Sequence, residues 1–179
     1  MKKLLKIISF ALIAQLSLLS PLKAQNLVVN SPDNRISVTL SISDRISWSA
    51  IFDQKAVIEK STISMDMGNG RVLGRFPKLK SNKSHSFSEE IIPQVPYKDA
   101  KIQSNYNQLT MSFRGDYQLI FRAYDDGISY RFVDNNRKSE VVVSEEFTID
   151  FPEGSTSFFP KEDSMYSHNE RLYLNKALS

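Results

Sequence analysis

The chain contains no cysteine. No disulfide can therefore staple it, no thiolate can serve as nucleophile or zinc ligand, and a lipid anchor attached through a cysteine after a leader is excluded. Histidine is nearly absent as well, with only His85 and His168, too far apart in sequence to show metal-site spacing. A single tryptophan, Trp48, and six glycines leave no material for a phosphate-cradling glycine loop, and no serine nucleophile elbow or zinc motif occurs. Helical periodicity is missing too. Before residue 160 no stretch of about ten residues keeps the three-to-four-residue apolar spacing of a helix. At 179 residues the chain suits one domain and is too short for a barrel enzyme.

The formal charge is +3, which at first suggests a polyanionic partner. Position removes the suggestion. Lys2, Lys3, Lys6 and Lys23 are four of the 23 basic residues and lie in the first 24 positions, where there is no acid; the other 155 residues carry 19 basic against 20 acidic side chains, a net of −1. Nothing in that balance favours nucleic acid. The first 24 residues have a charged start, an apolar run from 7 to 19 and a small residue, Ala24, which is the layout of a secretory signal peptide cut before Gln25. The apolar run is short for a bilayer span and holds Gln15, so cleavage is expected over a retained anchor, with no membrane attachment afterwards and a secreted or periplasmic domain over residues 25–179.

What the chain has in quantity is alternation with period two. Ile36, Val38, Leu40 and Ile42 alternate with polar residues, as do Ile63, Met65 and Met67, and Leu109, Met111 and Phe113. Each pattern suits a half-buried antiparallel strand. Further strands are expected at 27–29, Ile46–Phe52, 117–124, 128–133 and 140–151. Turn residues separate them: Ser31-Pro32-Asp33-Asn34, Gly68-Asn69-Gly70, and Asp125-Asp126-Gly127, a strong hairpin signal. Residues 74–104, rich in Lys and Ser and broken by three prolines, read as a long connection or as edge strands. The fold class is therefore an all-β antiparallel sandwich.

Few residues offer chemistry. Asp125 and Asp126 resemble a metal pair, but this dipeptide before a glycine is what a tight turn requires, and the turn takes precedence. Glu89-Glu90 and Glu145-Glu146 read as exposed faces, and His85 as a lone surface residue. His168 lies in Ser167-His168-Asn169-Glu170-Arg171 between Tyr166 and Tyr173, a polar and aromatic cluster that suits either a sugar or a solvated loop. Trp48 sits in an alternating strand, which favours core packing. No catalytic residue is assigned.

Several blocks, taken together, resemble the N-terminal domain of glycoside hydrolase family 97, secreted α-glucosidases and α-galactosidases of polysaccharide utilisation. Ser31-Pro32-Asp33-Asn34 with the following strand is similar to the family's opening turn. Lys55-Ala56-Val57-Ile58 with Ser61-Thr62-Ile63-Ser64-Met65, and Asn105-Tyr106-Asn107-Gln108-Leu109, resemble the next blocks. The most specific block runs from Phe121 to Phe132 and resembles the family's FRxYxDGxxYRF hairpin. Phe159-Pro160 leading to Glu170-Arg171-Leu172-Tyr173 resembles the segment ending in a Glu and a nearby Tyr. The resemblance implies a sandwich placed before a catalytic (β/α)8 barrel, an α-linked oligosaccharide as substrate of the intact enzyme, and a calcium ion that Glu170 helps to ligate. It also implies that this chain is the front part of a longer glycosidase, without the barrel and inactive alone. The alternative reading is a free-standing secreted sandwich that binds carbohydrate or protein.

Overall fold

The structure is a computed structural model that describes residues 24–95, 98–136, 140–162, 164–166 and 170–178. The leader up to Lys23, and His168 with its neighbours Ser167 and Asn169, lie outside the described residues. Twelve strands and no helix are present among those described: β1 (Gln25–Asn30), β2 (Ile36–Ile42), β3 (Ile46–Phe52), β4 (Lys55–Asp66), β5 (Val72–Leu73), β6 (Leu79–Ile91), β7 (Ile102–Phe113), β8 (Tyr117–Ala123), β9 (Ile128–Asp134), β10 (Ser144–Phe147), β11 (Thr156–Pro160) and β12 (Tyr173–Ala177).

They form three antiparallel sheets. The first has the order β1-β2-β3-β4-β10, with β5 added to the end of β4; the second is β6-β7-β8-β9; the third is the β11-β12 pair alone. The first two face each other as the layers of an all-β sandwich. Val38, Leu40, Ile46, Trp48 and Ile63 from one layer, with Leu109, Met111, Phe113, Leu119 and Phe121 from the other, make one continuous core. Register carries the pattern across strands: Leu40 faces Trp48 and Val38 faces Ala50 in one sheet, while Leu109 faces Phe121 and Met111 faces Leu119 in the other. A one-residue slip would turn these apolar sets to water, so the core fixes the pairing.

One open side of the sandwich is closed by rings. Trp48, Phe121, Tyr130 and Phe147 come from β3, β8, β9 and β10 and touch in a closed circuit. Their centroids lie 5.8 Å apart for Trp48–Phe121, 5.7 Å for Phe121–Tyr130, 5.1 Å for Tyr130–Phe147 and 5.8 Å for Trp48–Phe147. Trp48 is 4% exposed, as its place in an alternating strand implied. The Tyr130 hydroxyl donates to Glu145 at 2.6 Å, and burial together with that carboxylate pushes its pKa up.

Two regions differ from the sequence reading. β6 is a 13-residue edge strand, largely polar and exposed, so 74–104 holds both an edge strand, Leu79–Ile91, and a connection that leads to β7 at Ile102. It forms because β7 offers a full backbone ladder, paired from Leu79 opposite Phe113 to Ile91 opposite Ile102. Its own residues have no alternation to advertise it, and its lysines suit an edge that must not pair with other chains. Glu146 is the second case. It is not simply an exposed face: its carboxylate accepts from Arg45 at 2.9 Å, Thr62 at 3.0 Å and Ser64 at 2.8 Å, and these bonds, Ser64 first, hold its pKa below the usual carboxylate range.

Candidate functional site

Glu170 lies on the segment joining β11 to β12, exposed at the surface. The two strands pair from Thr156 opposite Ala177 to Pro160 opposite Tyr173. Their connection is tied by Arg171, whose Nε donates to Glu162 at 3.1 Å. The hairpin buries almost nothing: β12 is exposed at all five positions, Phe158 is 69% exposed and Tyr166 99%. Phe159, Leu172 and Tyr173 are also open to solvent. Glu170 thus lies on a hairpin several of whose apolar and aromatic side chains are exposed.

Whether this chain could hold calcium was tested on its oxygen donors. The ion takes six to eight oxygens, typically several of them carboxylate. Among the described residues no group of three or more His, Asp or Glu side chains could hold a metal. Glu170 can supply one ligand; the others would have to come from outside the described residues.

Asp125 and Asp126 are in the tight turn expected of them. The Tyr124 N–H donates to the Gly127 carbonyl at 2.8 Å and closes the β8-β9 hairpin. Asp125 also has a long-range task, because its Oδ1 accepts the Asp33 N–H at 2.9 Å. Asp33 caps its own turn, accepting from the Ser31 hydroxyl at 2.5 Å and from the Arg35 N–H at 3.0 Å; these bonds, Ser31 first, hold its carboxyl below the usual range. Ser31 is fully buried, and its Oγ in turn accepts the Ile36 N–H at 3.0 Å. The two most distinctive sequence blocks, 92 residues apart, therefore meet. Beside the junction is a hollow of about 510 Å³ lined by Ile36, Ile51, Phe52, Val57, Asp126 and Ile128.

Sequence reasoning missed a clamp at the other end of the strands. The Arg71 guanidinium donates to Asp134 at 2.7 and 2.9 Å, to Glu140 at 2.9 Å and to the Gly115 carbonyl at 2.6 Å. It joins the loop after β4 to the far end of the second sheet. The signal is weak in sequence, because an arginine in a glycine-rich turn reads as solvated.

The comparisons with known proteins agree with this architecture. A retaining alpha-galactosidase of Bacteroides thetaiotaomicron is 35% identical over 156 residues, covering 87% of this chain and 23% of that protein. A solved beta-arabinopyranosidase superposes with a TM-score of 0.70 at 22% identity, covering 84% of this chain and 26% of the other. A family 97 glycoside hydrolase from a Pseudoalteromonas species, solved with panose, superposes with a TM-score of 0.62 at 16% identity over 75% of this chain and 22% of the other. At those identities the two structural likenesses establish the fold alone. The chain spans about a quarter of the length of these relatives. The family model described as glycosyl-hydrolase 97 N-terminal matches residues 29–179, nearly the whole sandwich and the hairpin after it, and the chain belongs to that family.

Proposed function

We propose that this domain is exported behind a cleaved leader and supports the catalytic barrel of an α-glycosidase of polysaccharide or starch utilisation that acts on α-glucosides or α-galactosides. The β11-β12 hairpin packs on that barrel, and Glu170 lends one carboxylate to the calcium and sugar site, where the ion would polarise the substrate and the remaining ligands come from the barrel. The observation that supports this reading is the hairpin itself: exposed apolar and aromatic residues on both of its strands and a carboxylate, Glu170, on the segment joining them, in a chain about a quarter as long as its relatives. The carboxylate pair that cleaves the bond belongs to the barrel, so the 179-residue chain alone is inactive.

A chimera tests it. Residues 25–179 replace the matching quarter of the 35%-identical alpha-galactosidase, and activity is followed against calcium concentration. Glu170→Gln raises the calcium needed for half-maximal activity by about tenfold, while folding is unchanged. Calcium dependence identical in the two chimeras removes the ligand role. Hydrolysis of nitrophenyl α-glycosides by the chain alone overturns the reading as a whole, and binding of neutral oligosaccharide by the chain alone favours the free-standing module. Export is checked separately by N-terminal sequencing, with Gln25 expected first.

A further inference from the structure

The bend between β5 and β6 holds two cations, Arg75 and Lys78, and an aromatic ring in the open, with Arg114 beside it after β7, and its backbone is fixed at nearly every residue. Gly74 has φ +87°, and a Cβ there would lie 2.8 Å from the Ile63 carbonyl oxygen, so only glycine fits. Its N–H donates to the Tyr117 hydroxyl at 3.3 Å, and its carbonyl accepts the Ile46 N–H at 3.2 Å. The Phe76 N–H donates to the Asp44 carbonyl at 2.7 Å, and the Lys78 carbonyl accepts the Arg114 N–H at 2.9 Å.

Within this frame Phe76 has φ +46°, a left-handed backbone that costs a bulky residue free energy, yet its side chain is 67% exposed and gains little from the core. Asparagine or glycine would take the bend at lower cost. The Arg75 guanidinium lies 5.7 Å from the Phe76 ring centre. Arg75, Lys78 and Arg114 line one hollow of about 170 Å³ with Phe76, and none of the three has an ion pair among the described residues. Of the nearby carboxylates, Asp134 and Glu140 are engaged by Arg71, while Asp44 accepts only from Ser43 and the Arg45 N–H and Asp116 follows Gly115 at the rim of the hollow. Three cations converge on this one small hollow without an ion pair among the described residues, and they outnumber the carboxylates of Asp44 and Asp116 in the adjoining turns.

We propose that this hollow binds an acidic carbohydrate residue, its carboxylate or sulfate held by Arg75, Lys78 and Arg114 and its ring laid on Phe76. Guanidinium forks match the paired oxygens of a carboxylate or sulfate, and an ammonium adds a point charge. An exposed aromatic face beside them suits the C–H face of a sugar ring, which a bare inorganic anion lacks. The hollow is sized for one anionic residue rather than for a helix or strand of a protein. It also lies at the opposite end of the strands from the Asp33–Asp125 junction, since β2 leads away from that junction to the 43–45 turn, which pairs with the bend through Arg45 and Arg75. The site is independent of Glu170, so either can fail without the other.

The test is titration calorimetry of the purified protein with four probes: a glucuronic-acid trisaccharide, a neutral glucose trisaccharide, inorganic sulfate and a glutamate-rich peptide. The uronic trisaccharide is expected to bind, more weakly as salt rises from about 0.05 to about 0.5 M, and the neutral sugar is not. Replacing Arg75 and Arg114 by alanine lowers affinity by about tenfold per cation removed. Phe76→Asn, compatible with the left-handed backbone, weakens the sugar several-fold while leaving sulfate unchanged and raising the melting temperature. The proposal is overturned by equal binding of sulfate and the uronic trisaccharide, by tighter binding of the peptide, by no binding of the uronic sugar, or by binding that the arginine substitutions leave intact.

Discussion

The sandwich and the β11-β12 hairpin are both antiparallel β-structure, yet one is held by its core and the other by backbone bonds and surface polar contacts such as Arg171–Glu162. In β2 every second residue is buried, and in β12 none is. The same residue types, Phe, Tyr and Leu, therefore do opposite things in the two places. Phe121 is fully buried and touches two other rings; Phe158 and Tyr166 meet mostly water. An isolated two-stranded hairpin is marginal in water, so the stability of the chain rests on the sandwich, and the open hairpin is the part that the proposed packing on a barrel would cover.

The largest effect that would break the comparison is in the ring circuit. Phe121→Ala should cost about 3–5 kcal/mol in urea unfolding, through lost burial and the cavity it leaves. A loss below about 1 kcal/mol would mean that the four-ring contact does not hold the two sheets together. Next comes Gly74→Ala, expected to cost about 2–3 kcal/mol because the added Cβ meets the Ile63 carbonyl in a backbone that disfavours side chains.

Arg71→Lys should cost about 1–2 kcal/mol, since an ammonium cannot reproduce the fork across Asp134, Glu140 and the Gly115 carbonyl. Its pH dependence sharpens the test. Asp134 has its pKa lowered, chiefly by the Arg71 bonds. A carboxyl depressed in the folded state stabilises above its unfolded value of about 3.9, and the contribution is lost as pH falls through the folded value. The stability gap between wild type and Arg71→Lys should therefore narrow from about pH 5 towards about pH 2; a gap independent of pH would show that the pairing is not its source. The smallest effect is on the hairpin: Phe158→Ser should change unfolding by less than about 0.5 kcal/mol while reducing binding of a hydrophobic dye.

Much of the sandwich is legible in the sequence. β2 and β3 have the bounds that alternation gives them, β9 differs by one residue at its end, and Asp125-Asp126-Gly127 makes its hairpin. Of the candidate site, Glu170 and its neighbours could be singled out only by resemblance, since one carboxylate in a polar loop has no pattern of its own. The 140–151 segment shows the limit from the other side, because its apolar residues suggested a long strand and only Ser144–Phe147 pairs as one.

The sequence by itself determined the class of fold, the places where strands turn and the residues of the core, because burial on one face of a strand is written locally as period two. Tertiary structure alone decided β6, the ring circuit, the Arg71 clamp, the three donors on Glu146 and the cationic bend at 74–78. Each depends on groups brought together from distant parts of the chain, and an edge strand needs only a neighbour's backbone, which no side-chain period records.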